Sequence, residues 1–344
     1  MPSIVKGTDA MTNRERVLAS LNHEQPDQTP YCIDFTQKAH AKMAQHYGDP
    51  DFAAKLGNCF TFLSPEPADA WREVAPDIWE DGFGVQWDRS VDKDIGVVVN
   101  QRVTPETLDD YAFPDPDSPG IWAPYPAVTA DKGEAFVVAN LGFSLFERAW
   151  TLCGMENLFV AMASDPAFAE RLLDRILEYN LRVIGNACSY AIDAMMFGDD
   201  WGMQTGVLMG VDLWRAYIGP RVREMYQAVK SKGKYVVIHS CGKVDALFPD
   251  LIDYGLDVFN PFQPEVIDVY EAKRTFGDRL CFYGGISTQR TLPYATPDET
   301  RDEVRRLLDE VGKDGGYFAA PAHAIPPDAK PENIAAMIDA LQSQ

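Results

Sequence analysis

From residue 193 onward, short apolar runs alternate with amphipathic stretches. That alternation restricts the chain to parallel strands separated by helices. Strands are expected over 193–197, 235–238, 257–260, 280–283 and 317–320. Between the first two, 213–232 reads as a helix with Leu213, Trp214, Tyr217, Val222, Met225, Tyr226 and Val229 inward, stopped by Gly233 and kinked at Pro220. Further helices are expected through Leu247, Phe248, Leu251 and Ile252, and over 266–275. Thr296-Pro297-Asp298-Glu299 is a capping box that opens a helix with the stripe Val304, Leu307, Leu308 and Val311. A last helix starts at Pro331 and buries Ile334, Met337, Ile338 and Leu341. Five strand–helix units within about 150 residues favour closure into a barrel over an open sheet. Residues 29–35, 59–63 and 136–140 would supply the remaining strands of a (β/α)8 TIM barrel.

The first half is less regular. Residues 83–89 and 95–103 read as a hairpin around the charged turn Ser90-Val91-Asp92-Lys93-Asp94, inside an insertion over 80–125. The proline-rich run 113–120 bounds a subdomain there. Residues 1–28 are expected to form an N-terminal extension, loose over 1–10, followed by a helix over 13–21. The whole chain, 1–344, would be one barrel domain. The exposed hairpin is a candidate surface for pairing two chains into a homo-oligomer. With 46% hydrophobic residues in a chain of 344, a large core is affordable, yet no apolar window reaches membrane-spanning length. Neither does the N-terminus carry the apolar run of a secretory leader. The six cysteines are scattered; Cys32, Cys59, Cys153, Cys188 and Cys281 sit in apolar surroundings, as suits reduced thiols and a cytoplasmic location. A net charge of −21 argues against nucleic acid and against an anionic membrane surface as partners.

His239-Ser240-Cys241-Gly242 follows directly on the strand 235–238. Side chains at the C-terminal ends of barrel strands face the active-site mouth, and residues two apart on an extended segment lie on one side. Both could therefore reach one zinc ion, with Gly242 permitting the sharp departure into the next helix. Another of the five histidines, His323, lies just past the last strand. Core packing of the same residues is the alternative.

With these residues the sequence resembles the uroporphyrinogen decarboxylase superfamily, and within it the branch of zinc- and corrinoid-dependent methyltransferases. The resemblance rests on Asn13-Arg14-Glu15-Arg16-Val17, Glu24-Gln25-Pro26-Asp27, Leu145-Phe146-Glu147-Arg148-Ala149 and Phe197-Gly198-Asp199-Asp200-Trp201-Gly202. It continues through His239-Ser240-Cys241-Gly242, Asn260-Pro261-Phe262-Gln263-Pro264-Glu265, Gly284-Gly285-Ile286 and Pro331-Glu332-Asn333-Ile334. It implies the barrel and, at two departures, the chemistry. True decarboxylases hold porphyrin carboxylates with an arginine-rich segment after the first strand. Here that segment reads Cys32-Ile33-Asp34-Phe35-Thr36-Gln37-Lys38-Ala39-His40, with no arginine. Thiol-serving methyltransferases complete their zinc site with a later cysteine, where this chain has His323. The resemblance thus implies a ligand set of His239, Cys241 and His323. Such a set neutralises the ion less than one with two cysteines, which suits removal of methyl from a small O-methyl, N-methyl or S-methyl substrate. A corrinoid would receive the methyl group; this chain lacks the Asp-x-His segment of a cobalamin module, so a corrinoid protein is the implied partner. Tetrahydrofolate is a further candidate acceptor. A decarboxylase or lyase acting on a small carboxylated substrate, a methylcobalamin:thiol methyltransferase and a non-catalytic corrinoid-protein partner are the rival readings.

Asp199, Asp200 and Glu147 are candidate catalytic carboxylates or a further metal ligand, against helix capping and surface ion pairing as alternatives. Gln263 and Glu265 are candidate polar contacts to substrate, against a turn role as the alternative, and His40 and Asp34 are weaker candidates of the same kind. Trp201, Phe143, Trp150 and Phe262 are candidates for an apolar substrate wall, against simple core packing.

Overall fold

The structure is a computed structural model that describes residues 10–67 and 70–344. But for Ala10, the extension expected over 1–10 lies outside the described residues. Seven parallel strands lie side by side in chain order: β1 (Phe60–Leu63), β2 (Phe136–Leu141), β3 (Ala194–Gly198), β4 (Tyr235–His239), β5 (Val258–Phe262), β6 (Cys281–Ile286) and β7 (Tyr317–Pro321). All five strands expected in the second half are there. The eighth position is filled by 30–32, which bridges β7 through Cys32 N–H to Ala319 O at 3.0 Å and Ala319 N–H to Pro30 O at 2.9 Å. On its other side Cys59 N–H donates to Tyr31 O at 2.9 Å, closing the barrel just before β1. This segment is no regular strand. Pro30 has no N–H to give, and the side-chain amide of Asn58 takes both the N–H and the C=O of Ile33 (2.9 and 3.0 Å).

Alternation along the strands separates two cores. Phe136 and Val138, Ala194 and Met196, Cys281 and Tyr283, and Phe318 and Ala320 point into the barrel with Cys32, Cys59 and Phe60. Their neighbours Val137, Met195, Phe197, Val236, Ile238, Phe259 and Phe282 face the helical layer. Cysteines 32, 59, 153, 188 and 281 are buried and free. The kink expected at Pro220 takes the form of a π-helical turn, Trp214–Ile218, leading into the helix Gly219–Lys230. A proline cannot donate to the carbonyl four residues back, and widening the preceding turn absorbs that loss. The capping box at Thr296 and Glu299 forms as the sequence suggests.

The inserted hairpin is part of a larger element. Gln86–Asp88 pairs with Val97–Val98, but Arg72–Ala75 and Ile78–Glu80 extend it to a four-stranded antiparallel sheet. That sheet is pinned to the barrel by the buried ion pair of Arg148 with Asp81 (2.8 Å) and by Trp87 packed on Phe143 at 5.0 Å. It stands over the C-terminal ends of the strands, where Ile95 joins the rim of the main cavity.

Candidate metal centre at the barrel mouth

His239 closes β4 and sits in register with Gly198 of β3 and Asn260 of β5. The loops after β3 and β4 then pass almost in contact. A Cβ on Gly242, where φ is +87°, would lie 2.5 Å from the Gly202 carbonyl carbon, and one on Gly202 would lie 2.4 Å from Cys241 O. Only glycine fits either place. This close passage turns Cys241 back so that its Sγ lies 3.4 Å from His239 Nε2. His323, past β7, brings its ring to 5.5 Å from the His239 ring at 71°. One donor atom from each of His239, Cys241 and His323 lies within 4.8 Å of the other two.

Asn260 determines which nitrogen of His239 is free. Its Nδ2 donates to the Tyr283 carbonyl at 3.0 Å, so its Oδ1 is left to accept Nδ1–H of His239 at 2.6 Å. The Nε2 lone pair is then directed toward Cys241 and the cluster. The pKa of His323 is pushed down by its partial enclosure and by His239. The Cys241 thiol is pushed up by burial and by the Asp200 and Glu147 carboxylates. Zinc–ligand bonds of 2.0–2.3 Å set donor separations of about 3.3–3.6 Å in a tetrahedron. The His239–Cys241 edge has that length already, and the widest edge would close by about 1 Å. Two imidazoles, one of them aligned by Asn260, and one thiol at a strand end fit zinc.

The adjacent aspartates divide their work. Asp199, 1% exposed, accepts the backbone N–H groups of Leu145 (3.3 Å), Phe146 (3.1 Å) and Glu147 (2.8 Å), and also Trp201 Nε1 (2.6 Å). It thus caps the helix Phe146–Cys153, and its pKa is pushed up to about 6 by burial against the pull of those donors. It does not reach the cavity, so its candidate catalytic role gives way to a positioning one. Asp200 faces the cluster: its Oδ1 accepts Cys241 N–H at 2.8 Å and lies 3.9 Å from His239 Nε2. Glu147 lines the cavity beside it; burial and the two aspartates push its carboxyl well up.

Two cavities meet at His323. The larger, about 590 Å³, is lined by His239, Asn260, Glu147, Asp200, Asp34 and Phe143, with Phe60, Phe62, Met196 and Tyr283 as apolar wall. The smaller, about 230 Å³, lies against Cys241 and carries Gln263, Gln204, Gln289 and Thr288. Several residues singled out in the sequence lie elsewhere. Trp201 is fully buried, edge-on to Trp214 at 5.2 Å, because its indole N–H serves Asp199. His40 packs on Phe52 (5.1 Å) and Phe35 (6.2 Å) outside both cavities. Glu265 is bound to the Ser287 hydroxyl and lies 3.7 Å from Arg290. Phe262 stacks on Phe282 at 4.2 Å in the core, and Trp150 packs against the helical core. Conversely, Asn260 and Tyr283 were given no site role from the sequence, although their strand-end positions beside His239 were the available signal.

The profile of the family described as Uroporphyrinogen decarboxylase (URO-D) matches residues 78–344, well over half of the chain. The chain belongs to the uroporphyrinogen decarboxylase family. A uroporphyrinogen decarboxylase of Methylococcus capsulatus is 26% identical over 182 residues, 52% of this chain and 50% of that protein. A methylcobamide:CoM methyltransferase of Methanosarcina barkeri is 31% identical over 134 residues, 39% of this chain and 37% of its own. The matched stretch thus spans 50–60% of the length of the curated decarboxylases, and 37% of the methyltransferase. A solved methyltransferase of Methanosarcina mazei superposes with a TM-score of 0.73 over 97% of this chain and 99% of its own, at 19% identity, which establishes a shared fold. Among the described residues no helix is long and apolar enough to cross a membrane.

Proposed function

We propose that this family member is a zinc-dependent methyltransferase that takes a methyl group from a small substrate and passes it to a corrinoid, carried by a partner protein. The observation carrying this reading is the cluster of His239, Cys241 and His323 where the two cavities meet, with Asn260 presenting the Nε2 lone pair of His239. These three side chains would hold zinc, which when bound would supply Lewis acidity to the heteroatom bearing the methyl group.

The remaining work falls to the chain's own groups. Phe60, Phe143 and Tyr283 keep water from one side of the cavity. Glu147, kept protonated by burial and by the neighbouring aspartates, is a proton donor to the substrate heteroatom as its methyl group leaves. Asp200 holds the Cys241 backbone, and Asp199 holds the helix turn that carries Glu147. With one thiol and two imidazoles, the donor set brings a single negative charge to a divalent ion, which favours demethylation over thiol methylation. Porphyrin decarboxylation is disfavoured, because among the described residues no lysine or arginine lines either cavity to meet several carboxylates.

The test is to incubate zinc-loaded protein with cob(I)alamin and a panel of methyl ethers, methylamines and methyl thioethers, following methylcobalamin by absorbance. Methyl transfer that is lost in Glu147→Gln and in Cys241→Ala is the expected result. No transfer from any donor, with carbon dioxide released from small carboxylic acids instead, would contradict the proposal.

A further inference from the structure

Among the described residues, acidic side chains and aromatic rings line the larger cavity, and no lysine or arginine does. Asp34 approaches from the segment that closes the barrel, Asp200 from the end of β3 and Glu147 from the helix after β2. Facing them is a continuous aromatic wall: the Phe60 ring lies 6.0 Å from Phe62 and 5.4 Å from Tyr283. The neighbouring cations are engaged elsewhere. Arg148, next to Glu147 in sequence, turns away to Asp81, Lys243 to Asp245, and Arg290 toward Glu265.

A bound zinc ion does not reverse this balance. Its two positive charges less the one on the Cys241 thiolate leave one, and Asp34 with Asp200 already exceeds that. An anion entering here would meet repulsion at every wall except the metal itself. An ammonium group would meet carboxylates on one side and the negative faces of aromatic rings on the other, the arrangement that binds alkylated ammonium ions. The volume suits a small organic cation.

We infer that the substrate of this cavity carries a cationic alkylammonium group, held between the rings of Phe60, Phe62 and Tyr283 and the carboxylates of Asp34 and Asp200. The inference rests on the reading of this cavity as the substrate site. It adds the charge class of the substrate to that reading. The ammonium group serves as a handle for binding, separate from the heteroatom whose methyl is transferred.

Three near-isosteric probes test it: choline, its neutral carbon analogue 3,3-dimethylbutan-1-ol, and the anion 3,3-dimethylbutanoate. Binding to the protein as purified is measured by calorimetry, and metal content is measured on the same samples. Choline is expected to bind about tenfold more tightly than the alcohol, with the anion weakest of the three. In Asp34→Asn and Phe62→Leu the affinity for choline is expected to fall severalfold more than the affinity for the alcohol, so the preference shrinks. Equal binding of choline and the alcohol, tighter binding of the anion, or no choline binding at millimolar concentration overturns the inference. Zinc-free protein that still prefers choline removes the metal reading and keeps the charge preference. Zinc-loaded protein that prefers the anion does the reverse.

Discussion

Replacing Asn260 by alanine removes two hydrogen bonds at once: the acceptor for His239 Nδ1–H at 2.6 Å and the donor to the Tyr283 carbonyl at 3.0 Å. The His239 ring is then free to rotate and to hold its proton on either nitrogen, and the tautomer with Nε2 protonated cannot bind a metal through Nε2, the nitrogen that faces Cys241. Loss of such an aligning neighbour weakens metal affinity about 10–100-fold, or about 1.4–2.7 kcal/mol. The unpaired Tyr283 carbonyl, buried between strands, adds about 1 kcal/mol of lost stability independent of any metal. Asn260→Asp separates the two effects. Its carboxylate still accepts Nδ1–H, so zinc affinity is expected to stay within a few-fold of wild type, while the bond to Tyr283 is lost. Zinc affinity is read by competition against a chromophoric chelator, and stability by urea denaturation of the metal-free protein. An alanine variant that binds zinc as tightly as wild type refutes the assigned alignment. So does an aspartate variant that loses as much affinity as alanine.

Three further outcomes follow from the geometry. Asp199→Asn exchanges one of the oxygens that meet four N–H donors for an NH₂ group, so about two charge-assisted bonds are lost. Denaturation should show a fall of about 3 kcal/mol, and unchanged stability would remove the capping role. Asp81→Ala leaves Arg148 as an unpaired buried charge. A loss of about 3–5 kcal/mol is expected, with early proteolysis in the inserted sheet, and wild-type resistance would show that the pair does not anchor it. Because the Cys241 thiol is pushed up, it carries its proton at neutral pH in the metal-free protein. His323 is pushed down, so it loses its proton more readily than an ordinary imidazole. Zinc must therefore displace the thiol proton, and affinity should rise about tenfold per pH unit from roughly pH 6 to 8. A pH-independent affinity would mean that the thiolate is not a ligand.

Most of the barrel was legible because buried parallel strands must be short apolar runs, and 235–238 or 317–320 admit little else. The eighth position was harder: 30–32 pairs on both sides, yet Pro30 and the Asn58 amide prevent a regular strand. Two strands of the inserted sheet escaped notice because Arg72–Ala75 is exposed along its whole length and carries no alternating apolar stripe. At the site, His239, Cys241 and His323 stood out through residue type and position at strand ends. Asn260 did not, since its role depends on the register between β4 and β5. Asp199 and Asp200 could not be told apart in advance; adjacent residues leaving a strand point to opposite sides, so one caps a helix and the other faces the cavity. Trp201 follows that division inward.

The central claim is that His239, Cys241 and His323 form one metal centre, and elemental analysis tests it most directly. Protein purified without chelator is compared with His239→Ala, Cys241→Ala and His323→Ala, each checked for intact fold by circular dichroism. Near-stoichiometric zinc is expected in the wild type, and its loss from all three folded variants. Wild-type protein without zinc, or full zinc retained by any one variant, would contradict it.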